Sequence, residues 1–421
     1  MIHSAKSIIR DGTAAIDVYH QQINVGFDYP VLFTNDVFNE KNPLLIDVMN
    51  RRNEHRLSEM DRQGNRHRLV VYIDAGLAEA QPRLVGKIER YFQRWSDKAE
   101  LLASPFLIPP GRKSKASWKV LHEVIETLAH LRIDRHGFVV IIGGGSVLDI
   151  VGFAASIVHR GLRVIRMPST TLSQDDAGVG VKNGMDVFSQ KNFIGTFAPP
   201  FAVINDFDLL ETLPQKHWIG GVAEAFKVAI IKDADFFRFL CDNADALRKR
   251  SCAIMEQVIR RCAVLHLEHI RTSGDPFEFG SARPLDFGHW SAHRIEVLSD
   301  YTIAHGQAVA IGIALDSIYA AKKGLLNEAE LEDILMGISA TGLPTYSEYL
   351  LQRDHEGKFE IFKGLDHFRE HLGGELTITL PMGLGNRCEV HKIDTDLVVQ
   401  SIYQLKQWSK SANATYYESK R

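Results

Sequence analysis

The stretch Ile141-Ile142-Gly143-Gly144-Gly145-Ser146-Val147-Leu148-Asp149 leaves an apolar run, residues 137–142 (GFVVII), passes through three glycines and enters a helical pattern. It reads as a strand, a tight turn and a helix start. Glycines let the backbone approach a bound group closely, and the free N–H groups of a new helix favour an anion. A phosphate-binding turn and a plain tight turn both fit these residues taken alone. The spacing is not G-x-G-x-x-G, so the ordinary dinucleotide fingerprint does not apply.

The runs 69–73 (LVVYI), 163–167 (RVIRM) and 201–205 (FAVIN) have the same character, each bounded by Gly, Pro or Asp. Helical periodicity lies between them, as over 118–131. Strands alternating with helices predict a parallel α/β sheet with ligands at the C-terminal ends of the strands. From about 209 to 323 the pattern is helical and the short Val- and Ile-rich runs largely disappear. A small strand is expected over 375–380 (ELTITL) and a last helix over 395–409. The expected fold class is α/β + α: an N-terminal α/β domain over 1–208 and a mainly helical domain over 209–421. Residues 30–66 read as an elaboration of the first domain.

With 421 residues, two domains are the natural expectation. The chain is 45% hydrophobic and 24% charged, with mean hydropathy −0.11 and a formal charge of −3. That balance gives no reason to expect nucleic acid or an anionic membrane as a partner. The four cysteines show no C-x-x-C spacing and read as reduced thiols. No apolar run reaches 18 residues and the first residues lack a signal-peptide core, so a cytoplasmic location is expected.

Several polar residues fall where chemistry could use them. Asp74 ends the 69–73 run, where an acid can bind a ribose hydroxyl or merely cap a helix. Pro168-Ser169-Thr170-Thr171 closes another run with hydroxyls suited to capping or nucleotide contact. Glu224 and Lys227 stand at i, i+3 on a markedly apolar helical stretch. His289 and His293 stand at i, i+4, and His305 follows sixteen residues after His289. A catalytic zinc takes three N/O protein ligands and keeps a position open, which a Glu with two of these three histidines would satisfy. With 18 histidines in the chain, satisfied polar histidines are equally compatible with the spacing alone.

Taken in order, GGG-x-x-x-D at 143–149, the segment ending in Pro168-Ser169-Thr170-Thr171, D-x-x-x-G-x-K at 176–182, Lys191-Asn192, A-E-x-x-K at 223–227, G-H-x-x-x-H at 288–293 and H-G-x-A-V-A at 305–310 resemble dehydroquinate synthase and the other sugar phosphate cyclases. The resemblance covers roughly 69–385. It implies a nucleotide-binding first domain and a metal-binding second one, with Glu224, His289 and His305 on zinc, or cobalt at the same site. It implies NAD on Asp74, Lys115, Gly143, Gly144, Gly145, Asp149, Thr170 and Thr171. Asp176, Lys182, Lys227 and His293 match the family's catalytic groups, and Lys191 and Asn192 its substrate contacts. Arg160 resembles an arginine that reaches the phosphate site of a neighbouring subunit, which implies a homodimer. The implied reaction has NAD take a hydride from a metal-polarised secondary alcohol, phosphate leave by elimination, the hydride return, and an intramolecular aldol addition close the ring. Cationic residues suit a sugar phosphate.

The departures bear on the substrate. Dehydroquinate synthase grips a carboxylate with a lysine and an arginine and has an asparagine three residues before the first metal histidine. Here those positions match His266, Ala282 or its neighbour Arg283, and Asp286. An added carboxylate and fewer cations make a poor host for a substrate carboxylate. The family's D-K-K is replaced by Phe368-Arg369-Glu370-His371-Leu372-Gly373-Gly374, so a phosphate contact passes to His371 or Arg369. With the segment NDVFNEKNPLL, these features resemble the cyclases that convert sedoheptulose 7-phosphate to C7 cyclitols such as 2-epi-valiolone or 2-epi-5-epi-valiolone. Retention of His293 is closer to the 2-epi-valiolone type or to the related cyclases of bacterial prenylated-metabolite clusters. Arg112, where the family often has Glu, raises NADP beside NAD. The alternatives are 3-dehydroquinate synthase itself and a metal-dependent polyol dehydrogenase of the glycerol dehydrogenase type. The cationic segments argue against the dehydrogenase, and the complete triad argues against a non-catalytic homologue kept for assembly.

Overall fold

The structure is a computed structural model that describes residues 21–51, 66–188, 190–272, 284–371 and 376–418. Among these, seven strands form one sheet: β1 (Val31–Thr34), β2 (His67–Asp74), β3 (Ala99–Leu101), β4 (Phe106–Ile108), β5 (Phe138–Gly143), β6 (Arg163–Pro168) and, after a hairpin, β9 (Ala202–Asp206). Their order is β1-β9-β6-β5-β2-β3, with β4 also on β2, and every pairing is parallel. The register sets Leu69 against Phe138, Phe138 against Arg163 and Ile165 against Ala202. Helices cover both faces, which is why the strands read as unbroken apolar runs and not as alternations. Leu69, Val71, Ile73, Phe138, Val140 and Ile142 enter one core. Val70, Tyr72, Val139 and Ile141 enter the other, against the helices Trp118–His130 and Gly145–Ile157.

The four expected strands are present to within two residues. β1 falls in the segment read as an elaboration. It is a sheet edge, pairing Val31 with Val203 and Thr34 with Asp206, and its four residues are too few to show a period. An antiparallel hairpin of β7 (Lys182–Val187) and β8 (Gln190–Phe197) was also not foreseen. β8 (QKNFIGTF) lies largely exposed, so burial imposes no pattern on it.

Beyond β9 the chain is mainly helical around one large core, with a small antiparallel pair, β10 (Ile378–Pro381) and β11 (Arg387–Val390). In the helix Gly220–Lys232 every residue from Gly220 to Ile231 is buried, so it is packed on all sides. Its start meets the helix His305–Lys322 so closely that a Cβ on Gly306 would lie 2.2 Å from the Gly220 carbonyl oxygen. Gly312 makes a second such crossing with Gly288, just before the helix His289–Leu298. Two glycine crossings therefore fix three helices at the points where Glu224, His289 and His305 project. Among the described residues no helix is long and apolar enough to cross a membrane.

Candidate active site

Glu224 is fully buried, and its Oε1 has no hydrogen-bond donor. His289 Nε2 stands 3.6 Å and His305 Nε2 3.5 Å from that oxygen. Bonds of 2.0–2.2 Å to a tetrahedral zinc would set such ligand atoms roughly 3.3–3.5 Å apart, so the spacing is that of three ligands around one ion. The ring nitrogens agree. His289 Nδ1 lies 3.0 Å from the Phe287 carbonyl and His305 Nδ1 3.1 Å from Glu296 Oε2. Both contacts take up Nδ1–H, so Nε2 is the ring nitrogen left to face the centre. Burial opposes the charge of Glu224, but Lys227, then His289 and His305, hold its carboxyl well below the usual range. The residues fit a divalent cation.

Lys227, itself buried, is ion-paired with Glu224 Oε2. Glu296 is buried and shared: one oxygen faces both His305 and Lys191 Nζ, the latter at 2.6 Å. Burial works against its charge, but His305 and Lys191 hold it far below a normal glutamate. His293 packs its ring on His305 with centroids 5.8 Å apart. Burial, reinforced by Lys191 and His289, pushes its imidazole well below the usual histidine value, so it sits there neutral.

The segment after β6 forms a π-helical turn, Ser173–Ala177, a local distortion frequent at functional sites. Buried Arg166 fixes the residues beyond this turn by donating to the carbonyls of Gly178, Gly180 and Lys182 and to Asn183 Oδ1. Gln174 ties the turn to the carbonyls of Pro168 and Asp206. Asp176 interacts electrostatically with Lys227 and Glu224, with His266 Nδ1 2.9 Å from its Oδ1. Burial would raise the Asp176 carboxyl, yet Lys227 and His266 bring it down to about 2. Asp175 beside it is wholly buried with both oxygens unpartnered. Burial, then Asp176 and Glu224, push its carboxyl well above the usual range, so it is the protonated member of the pair.

At the glycine turn, the 13-residue helix Gly145–Ile157 starts at Gly144 with no side-chain cap, an arrangement that suits an anion. A Cβ on Gly144 would lie 3.1 Å from Thr170 Cγ2, and one on Gly143 2.9 Å from Val147 Cβ. Tight packing thus demands these glycines whether or not a phosphate binds. Asp74 caps its own helix through the N–H groups of Gly76 and Leu77. Lys115 Nζ reaches Asp149 Oδ2 and Asn192 Oδ1, both at 2.5 Å, joining a residue expected on the nucleotide to one expected on the substrate. Thr171 is fully buried. Its hydroxyl donates to the His217 or Trp218 carbonyl and accepts from Gly221 N–H at the start of the Glu224 helix. That hydroxyl serves the joint between the two halves, and Thr170, bonded to Ser173, is the one nearer the glycine turn.

Arg112 is also committed: Nε bonds Asp186 Oδ2 at 2.6 Å and the guanidinium lies 3.6 Å from the Tyr301 ring centre. Lys182 and Arg160 have exposed side chains. Arg160 and His159 both adopt left-handed backbone, φ 63° and 50°. Asp286 is partly buried, with Oδ2 unpartnered. Arg283 lies outside the described residues, as does the side chain of His371, which ends the helix Lys363–His371.

Sequence reading missed Glu296, Arg166, Asp175, Asp186 and Tyr301. A signal existed for two of them: an arginine inside the apolar strand RVIRM, and an acid at the position i+3 from His293.

Two family models match the chain: 3-dehydroquinate synthase N-terminal over residues 105–220 and 3-dehydroquinate synthase C-terminal over residues 221–360. A 3-dehydroquinate synthase of Alkaliphilus metalliredigens (strain QYMF) is 34% identical over 286 residues, 68% of this chain and 78% of the relative. The solved 2-epi-5-epi-valiolone synthase of Streptomyces hygroscopicus subsp. jinggangensis 5008, with NAD+ and Zn2+ bound, superposes with TM-score 0.79 at 26% identity, covering 92% of this chain and 99% of that one. A 2-deoxy-scyllo-inosose synthase complexed with carbaglucose-6-phosphate, NAD+ and Co2+ shares the fold with TM-score 0.70 at 20% identity, covering 88% and 95%. With two consecutive domain matches and a relative of this identity and coverage, the chain belongs to the 3-dehydroquinate synthase family of sugar phosphate cyclases.

Proposed function

We propose that this cyclase takes a seven-carbon ketose phosphate, sedoheptulose 7-phosphate, and releases phosphate to give a C7 cyclitol of the 2-epi-valiolone or 2-epi-5-epi-valiolone type. The observation that carries the reading is the His266–Asp176 contact. The side chain at the position where dehydroquinate synthase has a carboxylate-binding lysine turns onto an acid of the site, and Asp286 adds a second acid with a free oxygen. Acids suit sugar hydroxyls, which donate to them, and repel a substrate carboxylate. The Streptomyces synthase supports the same class. The second reading is 3-dehydroquinate synthase, favoured by the name of the 34% identical relative.

In this reading Glu224, His289 and His305 hold zinc or cobalt, and NAD lies against the glycine turn, Asp74, Lys115, Asp149 and Thr170. When bound, NAD accepts and returns a hydride and the metal polarises the reacting hydroxyl. Lys227 and Lys191 place positive charge where an enolate develops. Asp176 and neutral His293 are positioned to hold and pass protons. Lys182, His371 and, from a partner subunit, Arg160 bind the phosphate end, while Asn192 and Arg283 contact the rest of the substrate. A homodimer is supported by exposed Ile157, three residues before Arg160, and by exposed Phe188, Phe193 and Phe197 on the β7–β8 hairpin, since such apolar surface favours a partner. We further place the domain division at 208/209 and the enzyme in the cytoplasm.

The test is phosphate release by NAD- and zinc-loaded protein from sedoheptulose 7-phosphate and from the heptulosonate substrate of dehydroquinate synthase. Turnover of the former with NMR of a cyclitol supports the proposal. Release from the heptulosonate alone replaces it with the second reading. Net NADH from simple polyols would point to a dehydrogenase instead.

A further inference from the structure

Asp316 lies on the His305 helix and is buried. Its two oxygens each accept one hydrogen bond: Oδ1 from the Trp290 indole at 2.9 Å and Oδ2 from the Gly288 N–H at 3.2 Å. These donors flank His289. The Gly288 N–H and the Phe287 carbonyl are the two ends of a single peptide group, and that carbonyl faces His289 Nδ1 at 3.0 Å. A carbonyl only accepts, so Nδ1 carries the proton. Gly288 is left-handed, φ 77°, and a Cβ there would meet Ile313 N at 2.8 Å, so the packing locks this peptide in place.

We propose that Asp316 is a positioning residue for the metal centre, acting on His289 through the Phe287–Gly288 peptide group. Its carboxylate accepts from the N–H end of the peptide. The carbonyl end becomes a stronger acceptor, because hydrogen bonds in a chain polarise one another. His289 is then held in the tautomer and orientation that present Nε2. The two metal histidines are each backed by an acid, His305 directly by Glu296 and His289 by Asp316 across one peptide. Trp290 fixes the acid's other oxygen, so the pair Trp290–Asp316 is part of the device. Burial pushes the Asp316 carboxyl up to about 7, so the comparison is made at pH 8, where it is ionised.

The inference rests on Glu224, His289 and His305 as the metal set. Metal-free Asp316→Asn protein is titrated with zinc against a competing chelator, and with Co2+ while recording its visible spectrum. Loss of a partner that orients a ligand typically weakens metal binding roughly 10- to 100-fold. A fall in that range with an altered cobalt spectrum is expected. Wild-type zinc affinity and spectrum, whatever the change in Tm, would overturn the proposal, because that is what a purely structural acid predicts. Should Asp316→Asn not fold, the wild type carries the test. With 15N-labelled histidine, His289 should be the Nδ1–H tautomer with a downfield, slowly exchanging proton, and an Nε2–H tautomer overturns the relay. Glu224→Gln is titrated in parallel. If it keeps stoichiometric zinc, the ligand set itself is wrong. If it loses zinc while Asp316→Asn binds normally, only the role of Asp316 falls.

Discussion

Glu296 Oε2 lies 3.1 Å from His305 Nδ1, and through that contact an acid outside the proposed metal triad decides which ring nitrogen faces the centre. The same oxygen takes Lys191, so the lysine and the histidine are positioned by one buried group. Glu296→Gln keeps the shape and removes the charge. Zinc affinity should fall about 10- to 100-fold, read by chelator competition, and turnover should fall with it at subsaturating metal. Unchanged affinity would show that the pair orients nothing.

Glu224 and Lys227 are a buried ion pair, so removing one partner strands the other. Glu224→Ala should abolish metal binding and destabilise the metal-free protein by about 3–5 kcal/mol, measured by urea unfolding. Adding Lys227→Met should recover much of that stability and none of the metal binding. Equal stability of Glu224→Ala and wild type would mean that Lys227 finds another partner.

Arg112 bears on the nucleotide. Its Nε is held by Asp186 and its plane by Tyr301, so the one side chain that raised NADP from the sequence is not available to a 2′-phosphate. NAD should bind at least tenfold tighter than NADP by calorimetry, and Arg112→Ala should leave that ratio unaltered. Equal affinities would mean that Arg112 leaves Asp186 when the nucleotide arrives.

The sheet was legible because both of its faces are buried, which writes β2, β5, β6 and β9 as plain apolar runs. β1 and the β7–β8 hairpin were not, since four residues carry no period and an exposed strand carries no apolar face. At the site, Glu224, His289 and His305 were legible through motif order. Spacing cannot say that the three would meet, because the crossings at Gly220–Gly306 and Gly288–Gly312 that bring them together are tertiary. Glu296 offered only its place three residues after His293, and no local pattern marks Asp316, whose contact with Gly288 spans 28 positions. Thr171 shows the opposite failure: a hydroxyl at a strand end suits a nucleotide, but here the N-terminus of a helix from the other half claims it.

Asp206, the last residue of β9, accepts from the N–H groups of Asp36, Val37 and Asp208. Burial nevertheless raises its carboxyl to about 6. In the unfolded chain it titrates near pH 4. Between those values the native state keeps a proton that the unfolded state has lost, so rising pH favours unfolding. Its contribution is complete below about pH 4 and lost through about pH 6. Asp206→Asn removes the titration: its stability relative to wild type should improve by up to about 3 kcal/mol from pH 4 to pH 7, read from urea midpoints. A difference that does not vary with pH would place the native carboxyl at its ordinary value.

Specificity should follow charge at positions 266 and 286. His266 contacts Asp176, and Asp286 carries an oxygen with no partner three residues before His289. The double substitution His266→Lys with Asp286→Asn replaces an acid by a neutral amide and an imidazole by a fixed cation, a change toward positive charge. A carboxylate gains and a hydroxyl loses by that exchange, since the amide can donate where the acid only accepts. The ratio of kcat/KM for the heptulosonate phosphate to that for the ketose phosphate should rise at least tenfold, with most of the change in KM if the pocket binds ground and transition states alike. The lysine must reach past Asp176, so Asp286→Asn alone should give a smaller shift in the same direction. An unchanged ratio in both variants would mean that the substrate's first carbons lie elsewhere, and that these two side chains do not read the substrate.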